Sequence, residues 1–257
     1  MSPSALDIVF SKKFPRLPTE MSPFADGSCV AVVFANGVVM LLDAGGKVLW
    51  EQQLNRELGF TLPTWHFSGS PLILDDRLIL NVGSACAAFN KHTGELLWEN
   101  GRDICGYSTP VPAKVDGHEC VVFCGADSIM GVRVVNGELL WRHPFFNKHK
   151  ATAADVIVHN DEVFASCAYD RGCTKIRIAD GRVTPIFDNT VMRNFQSCSV
   201  LWQGDLYGFD ERWLKCFDFE DSDERWSEKG MGRGSLSMCT DGRMLIMSDT
   251  SELVIAR

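Results

Sequence analysis

Asn90-Lys91-His92-Thr93-Gly94-Glu95-Leu96-Leu97-Trp98 places a turn glycine four residues before a tryptophan, and the same phrase recurs along the chain. Asp43-Ala44-Gly45-Gly46-Lys47-Val48-Leu49-Trp50 and Val134-Val135-Asn136-Gly137-Glu138-Leu139-Leu140-Trp141 repeat it. Ile178-Ala179-Asp180-Gly181-Arg182-Val183-Thr184-Pro185 keeps the turn and loses the tryptophan. Phe219-Glu220-Asp221-Ser222-Asp223-Glu224-Arg225-Trp226 keeps the tryptophan and loses the glycine. The turn positions 46, 94, 137, 181 and 222 lie 48, 43, 44 and 41 residues apart. A period of this size is that of one four-stranded blade of a β-propeller.

A second marker recurs upstream of each turn. Ser22-Pro23, Ser70-Pro71 and Thr109-Pro110 each open an apolar stretch, and Ala154-Asp155, Cys198-Ser199 and Ser235-Leu236 hold the same place in weaker copies. Proline at the first residue of a strand removes no essential ladder donor. Six openings predict six blades. The second unit reads strand by strand as Ser70–Leu74, Arg77–Val82, Ala85–Asn90 and Glu95–Glu99, with turns at Asp75-Asp76 and Lys91–Gly94. No segment sustains an apolar period of 3.6, so helix is expected to be minor. The recurring tryptophan is read as packing: on an outer strand it can lie flat on the neighbouring blade while its N–H finds a partner.

The whole chain, residues 1–257, is therefore expected to be a single all-β domain, a β-propeller of about six four-stranded blades. Its last unit supplies only three strands before Arg257. At the other terminus Leu6–Phe14 is apolar and β-prone with no unit of its own. The expectation is closure of the ring by this N-terminal strand joining the last blade, which removes an exposed edge.

These phrases resemble the propeller repeat named after pyrroloquinoline quinone (PQQ), with its turn followed by a strand ending in Leu-Trp. Pro63-Thr64-Trp65-His66-Phe67-Ser68-Gly69-Ser70-Pro71, Tyr107-Ser108-Thr109-Pro110, Tyr207-Gly208-Phe209-Asp210 and Lys229–Leu236 resemble bacterial PQQ-binding-like repeat proteins. The resemblance implies one of two functions. Quinoprotein alcohol dehydrogenases use such a propeller as an enzyme; an outer-membrane assembly lipoprotein uses one as a scaffold.

The enzyme reading implies adjacent cysteines over the quinone and oxygen ligands for calcium. The ten cysteines, at 29, 86, 105, 120, 124, 167, 173, 198, 216 and 239, include no adjacent pair and no C-x-x-C. No stretch resembles a calcium loop, and neither a nucleophile elbow nor a zinc-binding helix motif is found. The six histidines are dispersed. The expected function is a non-enzymatic scaffold that binds a protein or ligand, with a quinoprotein-type dehydrogenase as the alternative. No cofactor is expected, PQQ included, and no metal.

A partner is expected at the channel mouth, where the loops entering each blade converge. Those loops hold Trp65, His66, Tyr107, Lys150, Arg193, Asn194, Phe195 and Arg233. Aromatic and basic groups on one rim suit a protein, a peptide or a small anionic or sugar-like ligand. The competing reading is that Trp65, Tyr107 and Phe195 plug the axis. A net charge of -8 argues against nucleic acid. No run is long and apolar enough to span a bilayer. The sequence as written has no signal peptide, which points to the cytoplasm; an incomplete N-terminus would instead allow export. Cys167 and Cys173 flank the turn Asp170-Arg171-Gly172, and are read either as facing each other across a hairpin or as separated by strand alternation.

Overall fold

The computed structural model describes residues 21–249 and 252–256, all as strands, turns and loops. The proposed closing strand, Leu6–Phe14, lies outside the described residues.

The first sheet is an antiparallel meander of β1 (Met21–Ala25), β2 (Cys29–Phe34), β3 (Val38–Asp43) and β4 (Val48–Gln53). The second repeats it with β5 (Leu72–Leu74), β6 (Arg77–Leu80), β7 (Ala87–Asn90) and β8 (Leu96–Glu99). The third holds β9 (Val111–Val115), β10 (His118–Cys124), β11 (Ser128–Arg133) and β12 (Leu139–Pro144). β13 (Ile157–His159), β14 (Glu162–Cys167), β15 (Gly172–Ala179) and β16 (Arg182–Asn189) make the fourth. β17 (Val200–Trp202), β18 (Asp205–Asp210), β19 (Trp213–Asp218) and β20 (Glu224–Glu228) make the fifth. The sixth has three described strands, β21 (Ser235–Met238), β22 (Met244–Met247) and β23 (Leu253–Ala256). Six antiparallel sheets in sequence order is the repeat pattern read from the turns.

Strand alternation decides how the sheets stack. In β6, Leu78 and Leu80 face back onto Ala31, Val33 and Leu41 of the first sheet, while Ile79 faces forward onto Val121 and Phe123 of the third. Val122 joins Val163 and Ile176 at the next junction, Phe164 and Cys173 meet Leu206 and Phe217 at the one after, and Phe209 and Leu214 pack on Met244 and Ile246. Middle strands such as β2 and β3 and the Cys120–Cys124 stretch of β10 bury both faces, which is why they read as near-continuous apolar runs. Removing each such side chain from water contributes about 1.5–3 kcal/mol.

The sixth sheet differs. Leu245, Met247, Leu253 and Ile255 point away from the fifth sheet and are 37, 45, 60 and 60% exposed. Among the described residues no shared core joins it to the first sheet.

Cys167 and Cys173 are separated by alternation. In the β14–β15 ladder Cys167 pairs with Gly172 and Ser166 with Cys173, so the two thiols stand on opposite faces. Cys167 belongs to the core before the fourth sheet and Cys173 to the core after it. All ten cysteines are free.

Candidate functional site: an aromatic run across the loop end

In an up-and-down sheet, the loop entering the first strand and the turn between the two middle strands open on the same end. That end gathers side chains from five entering loops and one middle turn. Trp65, before the second sheet, meets Tyr107, before the third, with ring centroids 5.8 Å apart. Trp65 also meets His149, before the fourth sheet, at 6.2 Å. His149 packs edge-on against Tyr169, in the middle turn of the fourth sheet, at 4.7 Å. Tyr169 in turn lies 5.6 Å from Phe195, in the loop before the fifth sheet. Arg233, before the sixth, covers the Phe195 ring at 4.3 Å. Edge-to-face contacts of this kind hold rings in fixed mutual orientation.

The run has a buried side and an open side. Tyr107 is buried, its hydroxyl accepts the backbone N–H of Trp65 at 3.3 Å, and burial raises its pKa. Trp65 is 48% exposed, His149 and Arg233 are exposed, and Tyr169 and Phe195 are half-buried. Tyr107 therefore supports and Trp65 presents.

The remaining expected site residues are brought to the same end but have other work. Arg193 chelates the buried carboxylate of Asp210 with Nε–Oδ1 at 2.7 Å and Nη2–Oδ2 at 2.9 Å. Lys215 reaches the same carboxylate at 2.9 Å and Glu224 at 3.1 Å. Burial pushes the Asp210 carboxyl up, but the hydrogen bonds from Arg193 and Lys215 outweigh it and leave it lowered. Asn194 is a buried strut: its N–H donates to Ser166 Oγ at 2.9 Å, and it accepts from Ser199 Oγ at 3.0 Å. His66 is exposed at a left-handed corner, φ 64°, closing a turn onto Pro63 O at 3.0 Å. His149 and Tyr169 were not expected as site residues. Tyr169 sits in a middle-strand turn, and meander topology alone puts such turns on this end.

Beside the run, a cavity of about 510 Å³ opens between the second and third sheets, lined by Thr61, Ser84, Asp103, Arg142 and Lys150. Arg142 is held by Asp127 at 2.6 Å and Asp103 accepts from Ser84 at 3.2 Å. Among the described residues, no group of three or more His, Cys, Asp or Glu side chains could hold a metal ion. No helix among them is long and apolar enough to cross a membrane.

A family model described as outer membrane protein assembly factor BamB matches residues 10–228. No curated protein matches the sequence. Among solved structures, BamB from Moraxella catarrhalis is 14% identical over 92% of this chain and 75% of its own, with a TM-score of 0.67. The computationally designed Ika8 protein is 13% identical over 91% of this chain and 70% of its own, with a TM-score of 0.65. A europium-containing methanol dehydrogenase, at a TM-score of 0.46 and 10% identity over 88% of this chain and 72% of its own, is too remote to bear on function.

Proposed function

Because the chain belongs to the family described as outer membrane protein assembly factor BamB, we propose that it is a non-enzymatic β-propeller scaffold that binds a protein partner at its loop end. The observation that carries this is the aromatic run from Trp65 through His149 and Tyr169 to Phe195 and Arg233. Exposed aromatic and arginine side chains on a rigid base are what protein interfaces concentrate. Small anionic or sugar-like ligands at the same rim would use the same groups. Co-purification with the tagged protein, compared with a Trp65→Ala/Arg233→Ala variant, tests the reading. Partners retained in full by the variant count against it.

We also propose that residues 1–257 form one domain of six blades, closed by Leu6–Phe14 pairing along β23. In support, β23 carries no described neighbour on its outer edge, and Leu253 and Ile255 beside that edge are largely exposed. An uncharged, unpaired edge is a liability that proteins ordinarily cover. Neither PQQ nor a metal is part of this reading, since no two cysteines adjoin to close over a quinone. Ten thiols without a disulfide among them fit a reducing compartment.

A further inference from the structure

No residue of the aromatic run lines the cavity of about 510 Å³ between the second and third sheets. The second sheet supplies one wall: Ser84 from its middle turn, with Asp103 and Ile104 from the loop that leaves it. The third sheet supplies the other: Asp127 from its middle turn, Arg142 from β12, and Lys150 from the loop that follows.

Both walls are fixed by contacts of their own. Asp103 Oδ2 accepts from Ser84 Oγ at 3.2 Å, and the Arg102 carbonyl before it accepts the Thr61 N–H at 2.9 Å. Arg142 donates Nε to Ser128 Oγ and Nη2 to Asp127 Oδ1, each at 2.6 Å. Lys150 is held in the left-handed region, φ 52°, by the buried Asn147. The Asn147 Oδ1 accepts the His149 and Ala151 N–H groups at 2.8 and 3.2 Å, and its Nδ2 donates to Ala151 O at 2.7 Å. Strain of this kind persists only where surroundings fix it, and it gathers at ligand sites. Burial pushes the Asp127 carboxyl up, but hydrogen bonds from Ser128 and Arg142, with the nearby charges of Arg142 and Lys150, leave it lowered. Arg142 and Lys150 therefore share one wall with one carboxylate between them, a net positive charge, while Asp103 makes the facing wall negative. Arg142 Nη1, Lys150 Nζ and Asp103 Oδ1 hydrogen-bond no described residue.

We infer that this cavity binds a small zwitterion: an α-amino acid, or a short peptide with both termini free. A carboxylate accepts from the open Arg142 and Lys150 donors, which is the stronger, charge-assisted kind of hydrogen bond. An ammonium group donates to Asp103 on the facing wall. A simple anion or cation would satisfy one wall and meet a like charge on the other, so the pair of walls discriminates against both. Ile104, 44% exposed, and Ala126 offer apolar surface to the ligand's side chain. The volume lies within the roughly 300–1,000 Å³ typical of small-molecule sites. The inference does not rest on the protein-partner reading, because the two use different residues.

The test is a titration of the ¹⁵N-labelled full chain with leucine, alanyl-leucine and dialanyl-leucine, following the backbone amides of Asp103, Ile104 and Lys150. The N-acetylated form of each ligand lacks the cation, and the C-amidated form lacks the anion. At least one zwitterion is expected to shift these amides saturably with roughly millimolar affinity, and its two blocked forms to bind about tenfold more weakly. Asp103→Asn is expected to weaken binding and to remove the preference over the N-acetylated form. Lys150→Gln is expected to weaken binding and to reduce the preference over the C-amidated form. Both side chains are exposed, so both variants should keep the wild-type melting temperature. The Trp65→Ala/Arg233→Ala variant is expected to bind as wild type does. No saturable shift with any of the three zwitterions overturns the inference, as do blocked forms that bind equally well, or undiminished binding by either charge variant.

Discussion

Trp98 lies face-down on Gly137 of the next sheet: a Cβ at residue 137 would stand 2.7 Å from the indole Cε3. The tryptophan thereby bolts one sheet to its neighbour, and the glycine is required twice, by this contact and by its φ of 75°. Gly181 has a similar φ of 71° and nothing within 4 Å.

The pair makes a controlled prediction. Gly137→Ala carries both the left-handed strain and the clash, and is expected to cost roughly 2–4 kcal/mol. Gly181→Ala carries the strain alone and should cost about 1 kcal/mol. Thermal denaturation of both variants measures the difference. Equal losses would show that the indole contact contributes nothing.

Removing the Asp210 carboxylate is expected to be among the most damaging single changes. Asp210 is 1% exposed and binds both Arg193 and Lys215. Asp210→Ala leaves Arg193 without its carboxylate and Lys215 with Glu224 alone, at about 3–5 kcal/mol, or roughly 10 °C in melting temperature for a chain of this size. Arg193→Ala should lower stability too, which separates it from the exposed Arg233. A wild-type melting temperature in Asp210→Ala would show that this network contributes nothing to stability.

The same network sets an acid limit. The folded Asp210 pKa lies below its ordinary value. Its contribution is therefore complete above the unfolded carboxylate pKa of about 3.9, and is lost as pH falls through the lower folded value. Melting temperature followed from pH 6 downward should fall in that window, and less steeply in Asp210→Asn. Parallel curves for the two proteins would assign the acid loss elsewhere.

Closure by the N-terminal segment predicts that deleting residues 1–14 lowers the melting temperature sharply and promotes association through β23, where Leu253 and Ile255 are exposed. A truncated protein that stays monomeric and equally stable would show that this segment does not close the ring.

The fold was legible because its signals are local and repeated. The Gly94–Trp98 phrase fixed both the hairpin and its phase, and the bounds of β5–β8 fall within two residues of the strands read in the second unit. The sites were less legible because they depend on neighbours. Nothing in Arg193-Asn194 tells that one side chain is spent on Asp210 and the other on Ser166 and Ser199. Tyr169 was missed because only loops entering the sheets were considered. The fate of each tryptophan also escapes the motif: Trp141 stacks on Gly131 of its own sheet, its buried N–H without a partner among the described residues.

The central claim is that the loop end is where a protein partner binds. A photo-crosslinking amino acid placed at Trp65 or Phe195, in cells that make the protein, tests it most directly. Val135, 62% exposed in a turn on the opposite end, is the control position. Discrete protein adducts at 65 and 195, absent at 135 and competed by unlabelled wild-type protein, are the predicted result. No adduct at either loop position, or the same adducts at all three, would contradict the account.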